Sequence, residues 1–283
     1  AICAVMAGAK PEYFPIILAT WDAVLDPRFN ANGVLSSSGG AAITAVVSGP
    51  YGRQIGMNAG RGLLGPGNRA NATTGRAVRL GAILALGARI GVLDGSSFSH
   101  GGKYTSHFLE QDPPAPWQPL RVQEGFTEAD TTVTVIPTEG PRQLHQSLNS
   151  DPEGMLKSFV ACMSDPTQNG AGKNTYYLIV LGPEHAEVLR GGGLSQRAVA
   201  EYLASASRMT EADFARAGIM LDTDSFYKQA PEADGRLTTA APDHIWITTA
   251  GGAGAGWSVV LPCWTGGMNT QPLTKPVVVP KGS

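Results

Sequence analysis

Three basic residues in one glycine-rich stretch could together bind an anion. Arg61, Arg69 and Lys103 all lie between residues 47 and 103. A guanidinium can hold a carboxylate or phosphate with two parallel hydrogen bonds, and an ammonium adds a point charge. The residue types therefore predict a site for a small anion. The alternative for any one of them is an ordinary solvated surface cation.

Further polar residues in and near this stretch could orient such a ligand. They are Glu12, Arg53, Asn58, Asn68 and Asn71. Asparagine amides both donate and accept hydrogen bonds, which suits recognition of polar atoms beside an anion. Asparagine is also common in turns, and a glutamate at a helix start interacts favourably with the helix dipole. Both interpretations stay open at this point.

A second group of residues has the chemistry needed for proton transfer. Histidine titrates near neutral pH, and burial or neighbouring cations can lower the pKa of a lysine. We therefore predict catalytic roles for His100, Lys103 and Tyr104, with His107 as a further candidate. If residues 103–107 form a strand, Lys103 and His107 share one face of it. The alternative for each histidine is a structural role.

The elements around these residues are typical of an α/β protein. An apolar run at residues 41–47 predicts a buried strand, and apolar residues at helical spacing predict a helix over residues 71–86. A glycine-rich loop between a strand and a helix is a common place for a small anionic ligand. Other strands are predicted at residues 104–110, 131–136, 176–181, 244–249 and 257–261. Other helices are predicted at residues 13–25, 142–148, 155–163, 183–189, 195–206 and 210–217, and loops at residues 30–40 and 222–242.

The same order of signals occurs twice along the chain. A Pro-Glu pair, a helix, an Asp-Pro pair, a strand and a Gly-Pro pair follow one another at residues 11–50 and again at residues 152–183. Gly101-Gly102 before one strand is matched by Gly251-Gly252 before another. We therefore predict an α/β fold of two similar halves, residues 1–140 and 141–283, from an internal duplication. Its mixed or parallel sheets would be flanked by helices, and the two halves would pack as one domain or as two. The ligand would bind in the crevice between the halves.

Composition and motifs exclude several classes of protein. A net charge of −2 gives no reason to expect nucleic acid binding, and no apolar run is long enough to cross a membrane. The three cysteines form no CxxC pair and no metal-binding spacing, so we expect free thiols, a reducing cytoplasmic location and no metal site. The glycine-rich residues 251–256 precede a strand pattern rather than a helix, which argues against a dinucleotide loop. No cofactor is identified, and the apolar start at Ala1 leads us to expect residues upstream of it.

Three segments carry a resemblance to a known family. Residues 5–13, 65–73 and 102–105 resemble a poorly characterised bacterial family that is associated with proteins carrying a Sec/Cys-Gly-Ser-Cys motif and with thiol or selenol redox work. The resemblance covers the first half up to about residue 140, and more loosely residues 245–252. Relatives often carry cysteine where this chain has Ala9, and Cys3 is no obvious replacement. The resemblance thus implies a partner subunit that supplies the thiol or selenol, and it names no substrate.

These observations lead to three hypotheses. The first is an enzyme or enzyme subunit that binds a small anionic or polar metabolite between two α/β halves, with redox or lyase-type chemistry and an oligomeric assembly. The second is a non-catalytic structural subunit of a hetero-oligomer. The third is a metabolite-binding sensor. Under the first, loss of charge at Arg61 or Lys103 should abolish activity and leave the melting temperature nearly unchanged.

Overall fold

The fold is built from two four-stranded sheets with helices on their outer faces. The computed structural model describes residues 1–221, 232, 234–264 and 270–279. The strands are β1 (Ala42–Ser48), β2 (His107–Leu109), β3 (Thr132–Thr138), β4 (Arg142–His145), β5 (Tyr177–Leu181), β6 (Met209–Thr210), β7 (Arg236–Leu237), β8 (Ile245–Thr249), β9 (Trp257–Pro262) and β10 (Leu273–Pro276). The helices are α1 (Ile2–Ala7), α2 (Phe14–Val24), α3 (Ala31–Ser36), α4 (Pro50–Gln54), α5 (Arg69–Leu84), α6 (Leu120–Gln123), α7 (Pro152–Met163), α8 (Pro183–Gly191), α9 (Gln196–Ala206) and α10 (Glu211–Arg216).

The two large sheets share one topology. Sheet 1 has the order β10-β3-β1-β2 and sheet 2 has the order β4-β9-β5-β8, while β6 and β7 form a separate pair. In sheet 1, β1 is parallel to β2 and antiparallel to β3, and β10 is antiparallel to β3. In sheet 2, β5 is parallel to β8 and antiparallel to β9, and β4 is antiparallel to β9. The chain crosses from sheet 1 to sheet 2 between β3 and β4, and it returns to sheet 1 between β9 and β10, so residues 141–283 give their last strand to sheet 1.

This common topology is what an internal duplication would produce, and the duplication itself stays a prediction. One of the sequence matches offered for it does not hold in the structure. Gly101-Gly102 precedes β2, the strand parallel to β1, whereas Gly251-Gly252 follows β8, the strand parallel to β5. The two glycine pairs are therefore not equivalent positions.

The layers run helix, sheet, sheet, helix. Side chains alternate along a strand, so each sheet has two faces. Between the sheets, Val46 and Phe108 of sheet 1 belong to one buried cluster with Leu178 and Val180 of sheet 2. The outer face of sheet 1 packs on α2, and the outer face of sheet 2 packs on α7 and α9. Both halves contribute to the core between the sheets, so burial of apolar surface holds them together.

Several predicted elements are confirmed and three are wrong. The helices at 13–25, 71–86, 155–163, 183–189, 195–206 and 210–217 and the strands at 41–47, 131–136, 176–181, 244–249 and 257–261 are present, with ends shifted by a few residues. The predicted helix at 142–148 is instead strand β4, because its backbone pairs with β9. The predicted strand at 104–110 is only His107–Leu109, preceded by a 3-10 turn at Gly101–Lys103, so Lys103 and His107 do not share a strand face. The predicted loop at 30–40 contains α3, and most of the loop predicted at 222–242 lies outside the described residues.

Helix α5 lies close to its neighbours because it contains glycine at two contact points. A Cβ at Gly75 would collide with the Thr105 side chain, and a Cβ at Gly81 would collide with the indole of Trp21. The helix is capped by Asn68, whose side chain accepts a hydrogen bond from the backbone N–H of Asn71 at 3.0 Å.

Among the described helices none is long and apolar enough to cross a membrane.

Candidate functional site

A short backbone segment joins the two sheets at the carboxyl ends of their parallel strands. The backbone N–H of Leu109, at the end of β2, donates to the carbonyl of Asn58 at 3.1 Å. The N–H of Gly251, just after β8, donates to the carbonyl of Ala59 at 2.8 Å. The loop between α4 and α5 therefore lies in the seam between the halves, where α/β folds commonly bind ligands.

Three of the predicted ligand-binding amides shape this loop. The side chain of buried Asn71 accepts from the N–H of Asn58 at 2.9 Å and donates to its carbonyl at 3.0 Å. The Asn58 amide donates to the carbonyl of Arg61 at 2.9 Å and accepts from the N–H of Gly60 at 2.8 Å. Asn68 donates to the carbonyl of Gly56 at 2.9 Å. These hydrogen bonds within the chain fix the loop and thereby the direction of Arg61.

Arg61 reaches from the first half of the chain onto the glycine-rich turn of the second half. A Cβ at Gly252 would collide with the Arg61 side chain, and a Cβ at Gly254 would lie 3.5 Å from its Nη2. Glu184, at the start of α8, accepts a hydrogen bond from the N–H of Gly254. That bond, with a smaller effect from the Arg61 charge, lowers the pKa of Glu184. Within the described residues the Arg61 guanidinium forms no ion pair shorter than 4 Å.

A cleft of about 440 Å³ opens beside this contact and is lined by both halves. Its first wall is the loop from the first half, including Leu63 and Leu64. The facing wall comes from sheet 2 and the glycine-rich turn. The remaining lining residues are Gly60, Gly62, Gly65, Gln143, Val180, Ala250, Gly251, Gly252, Trp257, Ser258 and Val259. The cleft is mainly apolar, with few polar side chains, as is usual for small-molecule sites.

The predicted acid–base residues lie at the other end of sheet 1. His100 Nε2 is 3.3 Å from the carbonyl of Thr138, which pairs with Ala42 at the start of β1. Asn58 is bonded to Leu109, whose partner in β1 is Val47. Ala42 and Val47 are five residues apart along β1, a distance of about 16 Å. The structure therefore does not bring His100 to the cleft.

Lys103 forms a buried ion-pair cluster instead of an anion site. Its Nζ lies 2.7 Å from Asp94 Oδ1, and Arg79 Nη2 lies 2.7 Å from Asp94 Oδ2. Burial opposes ionisation of Asp94, but hydrogen bonds from Lys103, Ser96 and Arg79 outweigh it and lower the pKa of Asp94 below its ordinary value. Tyr104 is exposed, with the Arg76 guanidinium 4.5 Å from its ring centre. Neither Lys103 nor Tyr104 lines the cleft.

The other predicted contacts are near the loop but bind protein groups. Arg53 pairs with Asp112 at 2.9 Å, and Arg69 Nε donates to the carbonyl of Gly8 at 3.0 Å. The Glu12 carboxylate is 3.5 Å from the ammonium of Lys10. Arg61 is thus the predicted cation that lies beside the cleft, because its chain neighbours Gly60 and Gly62 line the cleft and its side chain packs on Gly252. Within the described chain no group of three His, Cys, Asp or Glu side chains is placed to hold a metal ion.

A buried polar network beside the seam was not predicted from the sequence. Glu110 follows β2 and accepts hydrogen bonds from Ser48 at 2.5 Å, from Thr248 at 2.7 Å and from the N–H of Leu120 at 2.9 Å. Arg121 Nη1 donates to the Ser48 hydroxyl at 3.2 Å. Desolvation raises the pKa of Glu110 to about 7, although these hydrogen bonds oppose the shift. The network connects both sheets through one carboxyl group.

Replacing Glu110 with glutamine should remove a pH-dependent loss of stability. Because the pKa is raised in the folded state, the folded protein holds a proton that the unfolded chain releases as the pH rises from about 4.5 to about 7. The wild type should lose about 3 kcal/mol of unfolding free energy through this group across that window, on the order of 1.4 kcal/mol per pH unit. Urea unfolding at pH 5 and pH 8 measures it. Equal pH dependence in wild type and Glu110→Gln would contradict the assignment.

A serine–histidine pair in the second half is a structural contact between α8 and β9. His185 Nδ1 lies 2.7 Å from Ser258 Oγ, and its Nε2 lies 2.9 Å from the carbonyl of Gln146. This carbonyl can only accept, so Nε2 carries the proton and Nδ1 accepts from the hydroxyl. Ser258 shares a strand face with Val260, which belongs to the outer core against the helices. The hydroxyl therefore points away from the cleft.

A larger groove of about 540 Å³ runs along strand β8 on another side of the molecule. Trp117, Gln123 and Trp246 are among the residues that line it. Its arginine, Arg197, is held by Glu201 and Asp243. Because that charge is already neutralised, the groove offers less to an anion than the cleft beside Arg61.

Neither a known protein-family model nor a curated protein sequence matches the chain. The resemblance to the bacterial family associated with Sec/Cys-Gly-Ser-Cys proteins therefore stays a prediction.

Proposed function

We propose that the chain binds a small anionic metabolite in the cleft between its halves, as an enzyme or as the ligand-binding subunit of one. The observation that carries the proposal is the position of Arg61. Its side chain packs on Gly252, which together with Gly60 and Gly62 lines the cleft of about 440 Å³, and its guanidinium lies beside Gly254 and forms no ion pair within the described chain. An arginine in that position favours a carboxylate or a phosphate.

Chemistry at this cleft would draw on few groups of the chain itself. Glu184 is bonded to Gly254, and His145 stacks on Trp257 with ring centres 4.4 Å apart, so these two titratable groups contact residues at or beside the cleft. No cysteine lines the cleft, and burial raises the pKa of the thiols of Cys162 and Cys263. Thiol or selenol chemistry here would therefore need a partner chain or a thiol-bearing substrate, which agrees with the implied partner subunit.

A second candidate function is metabolite binding without turnover. It is favoured by the distance of His100, Lys103 and Tyr104 from the cleft, since these residues carried the case for proton transfer. Native mass spectrometry of the protein purified gently from its own host would distinguish the candidates. A bound metabolite without a partner chain, and without turnover when resupplied, supports a sensor. A complex of fixed ratio with a thiol- or selenol-bearing chain supports an enzyme subunit.

Arg61→Ala should weaken anion binding strongly and leave the fold intact. Hydrogen bonds to charged groups contribute about 1.5–3 kcal/mol, so affinity for a bound carboxylate or phosphate should fall about tenfold to a hundredfold. Arg61 is exposed and its loop is fixed by backbone and asparagine contacts, so the melting temperature should change little. Calorimetric titration with acetate and inorganic phosphate measures the loss.

The matched control for this experiment is Arg216→Ala, which removes the same charge from the exposed end of α10. It should bind the anions like the wild type. Equal weakening in both variants would show a general charge effect and would contradict the proposal. Full binding by Arg61→Ala would contradict it as well.

A further inference from the structure

We infer that the cleft selects anions with a planar, conjugated body, such as aromatic or heteroaromatic carboxylates. The inference rests on the proposed function and adds the substrate class to it. It depends on what surrounds Arg61, above all on Trp257 and on the apolar walls.

Trp257 presents an aromatic surface to the cleft. It is the first residue of β9, and 45% of its surface is exposed although it lies within a sheet. Its partner across the strands is His145 of the edge strand β4. The two rings are stacked with their centres 4.4 Å apart and their planes 27° apart. The imidazole therefore supports one face of the indole and limits its rotation, which prepares the indole to contact a second flat group.

The walls of the cleft require more than a bare anion. Leu63 and Leu64 form the loop side, while Val180 and Val259 lie on the sheet side. An anion as small as acetate or phosphate would contact Arg61 and leave Leu64 and Val259, the two of these side chains that are not buried, in contact with water. A ligand with an apolar body gains binding free energy by removing such apolar surface from water. The cleft volume of about 440 Å³ is within the usual range for small-molecule sites.

Gln143 adds a polar contact beside the indole. It is exposed on β4, lines the cleft and pairs across the strands with Val259. A carboxamide donates and accepts hydrogen bonds in one plane. Such a group suits the ring nitrogen or the carbonyl of a flat heterocycle. Arg61, Trp257 and Gln143 together thus fit a carboxylate joined to a planar ring.

Three carboxylates of equal charge test the inference. Benzoate is planar, cyclohexanecarboxylate has a puckered ring of the same size, and acetate has no ring. We expect benzoate to bind the wild type about three- to tenfold more tightly than cyclohexanecarboxylate, because aromatic pairs gain about 0.5–1.5 kcal/mol beyond burial. Ligand-observed NMR titration measures all three affinities. Trp257→Leu should remove the preference for benzoate, and Trp257→Phe should keep part of it.

The outcomes separate this inference from the proposed function. Binding of all three carboxylates that depends on Arg61 but is equally tight for benzoate and cyclohexanecarboxylate would overturn the inference alone. Equal preference for benzoate in wild type and Trp257→Leu would also overturn it. A tenfold or greater loss of affinity in Arg61→Ala, combined with a benzoate preference that depends on Trp257, supports both. Binding that ignores Arg61 would overturn both.

Discussion

Asp94→Asn should destabilise the protein by about 3–5 kcal/mol. The Asp94 carboxylate is 1% exposed, and the side chains of Lys103 and Arg79 that it neutralises are 8% and 10% exposed. The substitution keeps the shape of the side chain and removes its charge. Two nearly buried cations would then lie side by side without a counter-charge, and breaking a buried ion pair in this way is strongly destabilising. Urea unfolding at pH 7 measures the change.

Two further variants make this experiment decisive. Glu187→Gln removes a carboxylate from an exposed pair with Arg190 on α8, and it should cost less than about 1 kcal/mol. Adding Lys103→Met to Asp94→Asn removes one of the two unpaired cations and should restore part of the loss. A small effect of Asp94→Asn, or no recovery in the double variant, would show that the cluster is not held by its charges.

The ion pairs of Asp94 change what is expected of Lys103. From the sequence alone, loss of the Lys103 charge should abolish activity and spare the melting temperature. In the structure, Lys103 lies against Asp94 at the amino end of sheet 1, so its removal should lower stability and leave the cleft unaffected. Asp94 had no motif or spacing to mark it. Only the packing of α5 against the 94–103 segment brings the three charges together.

Elements with a strong local signal were predictable from the sequence. The apolar run at Tyr177–Leu181 forms a buried strand, and Thr210 with Asp213 forms the capping box at the start of α10. The sequence predicts a helix after the Gly140-Pro141 pair, where the structure has strand β4. As an edge strand, it is specified by pairing with β9 at the opposite end of the second half. Tertiary pairing of that kind is invisible to local propensity.

Only the wall of the candidate site that comes from the first half of the chain was predictable from the sequence. The glycine-rich loop and Arg61 follow from residue types and from their position between a strand and a helix. The facing wall comes from Gln143 and Trp257, which are neighbours only because the chain crosses from sheet 1 to sheet 2 after β3. The buried carboxyl of Glu110 could not be predicted either, since the residues that surround it come from three separate parts of the chain.

Wild-type protein should lose stability in mild acid because of His107, and His107→Leu should not. The imidazole is fully enclosed between β2 and α5, and neither ring nitrogen has a hydrogen-bond partner within the described residues. Desolvation alone lowers its pKa to about 3. The unfolded chain binds a proton near pH 6.5 and the folded protein does not, so stability falls as the pH drops from 6.5 towards 3. The full loss approaches about 5 kcal/mol, or about 2 kcal/mol at pH 5.

The measurement compares urea unfolding of wild type and His107→Leu at pH 7.5, 6 and 5. Other groups with shifted pKa values, among them Glu110 and His185, act equally in both proteins, so the difference between the curves isolates His107. Phe108→Leu is the matched control, because it changes the neighbouring core side chain without a titrating group and should cost the same free energy at every pH. At pH 7.5 His107→Leu should be no less stable than wild type, since it removes two buried polar atoms without partners. Parallel curves for wild type and His107→Leu would show that the folded protein takes up the proton as readily as the unfolded chain. The interpretation of His107 as an enclosed, neutral histidine would then be wrong.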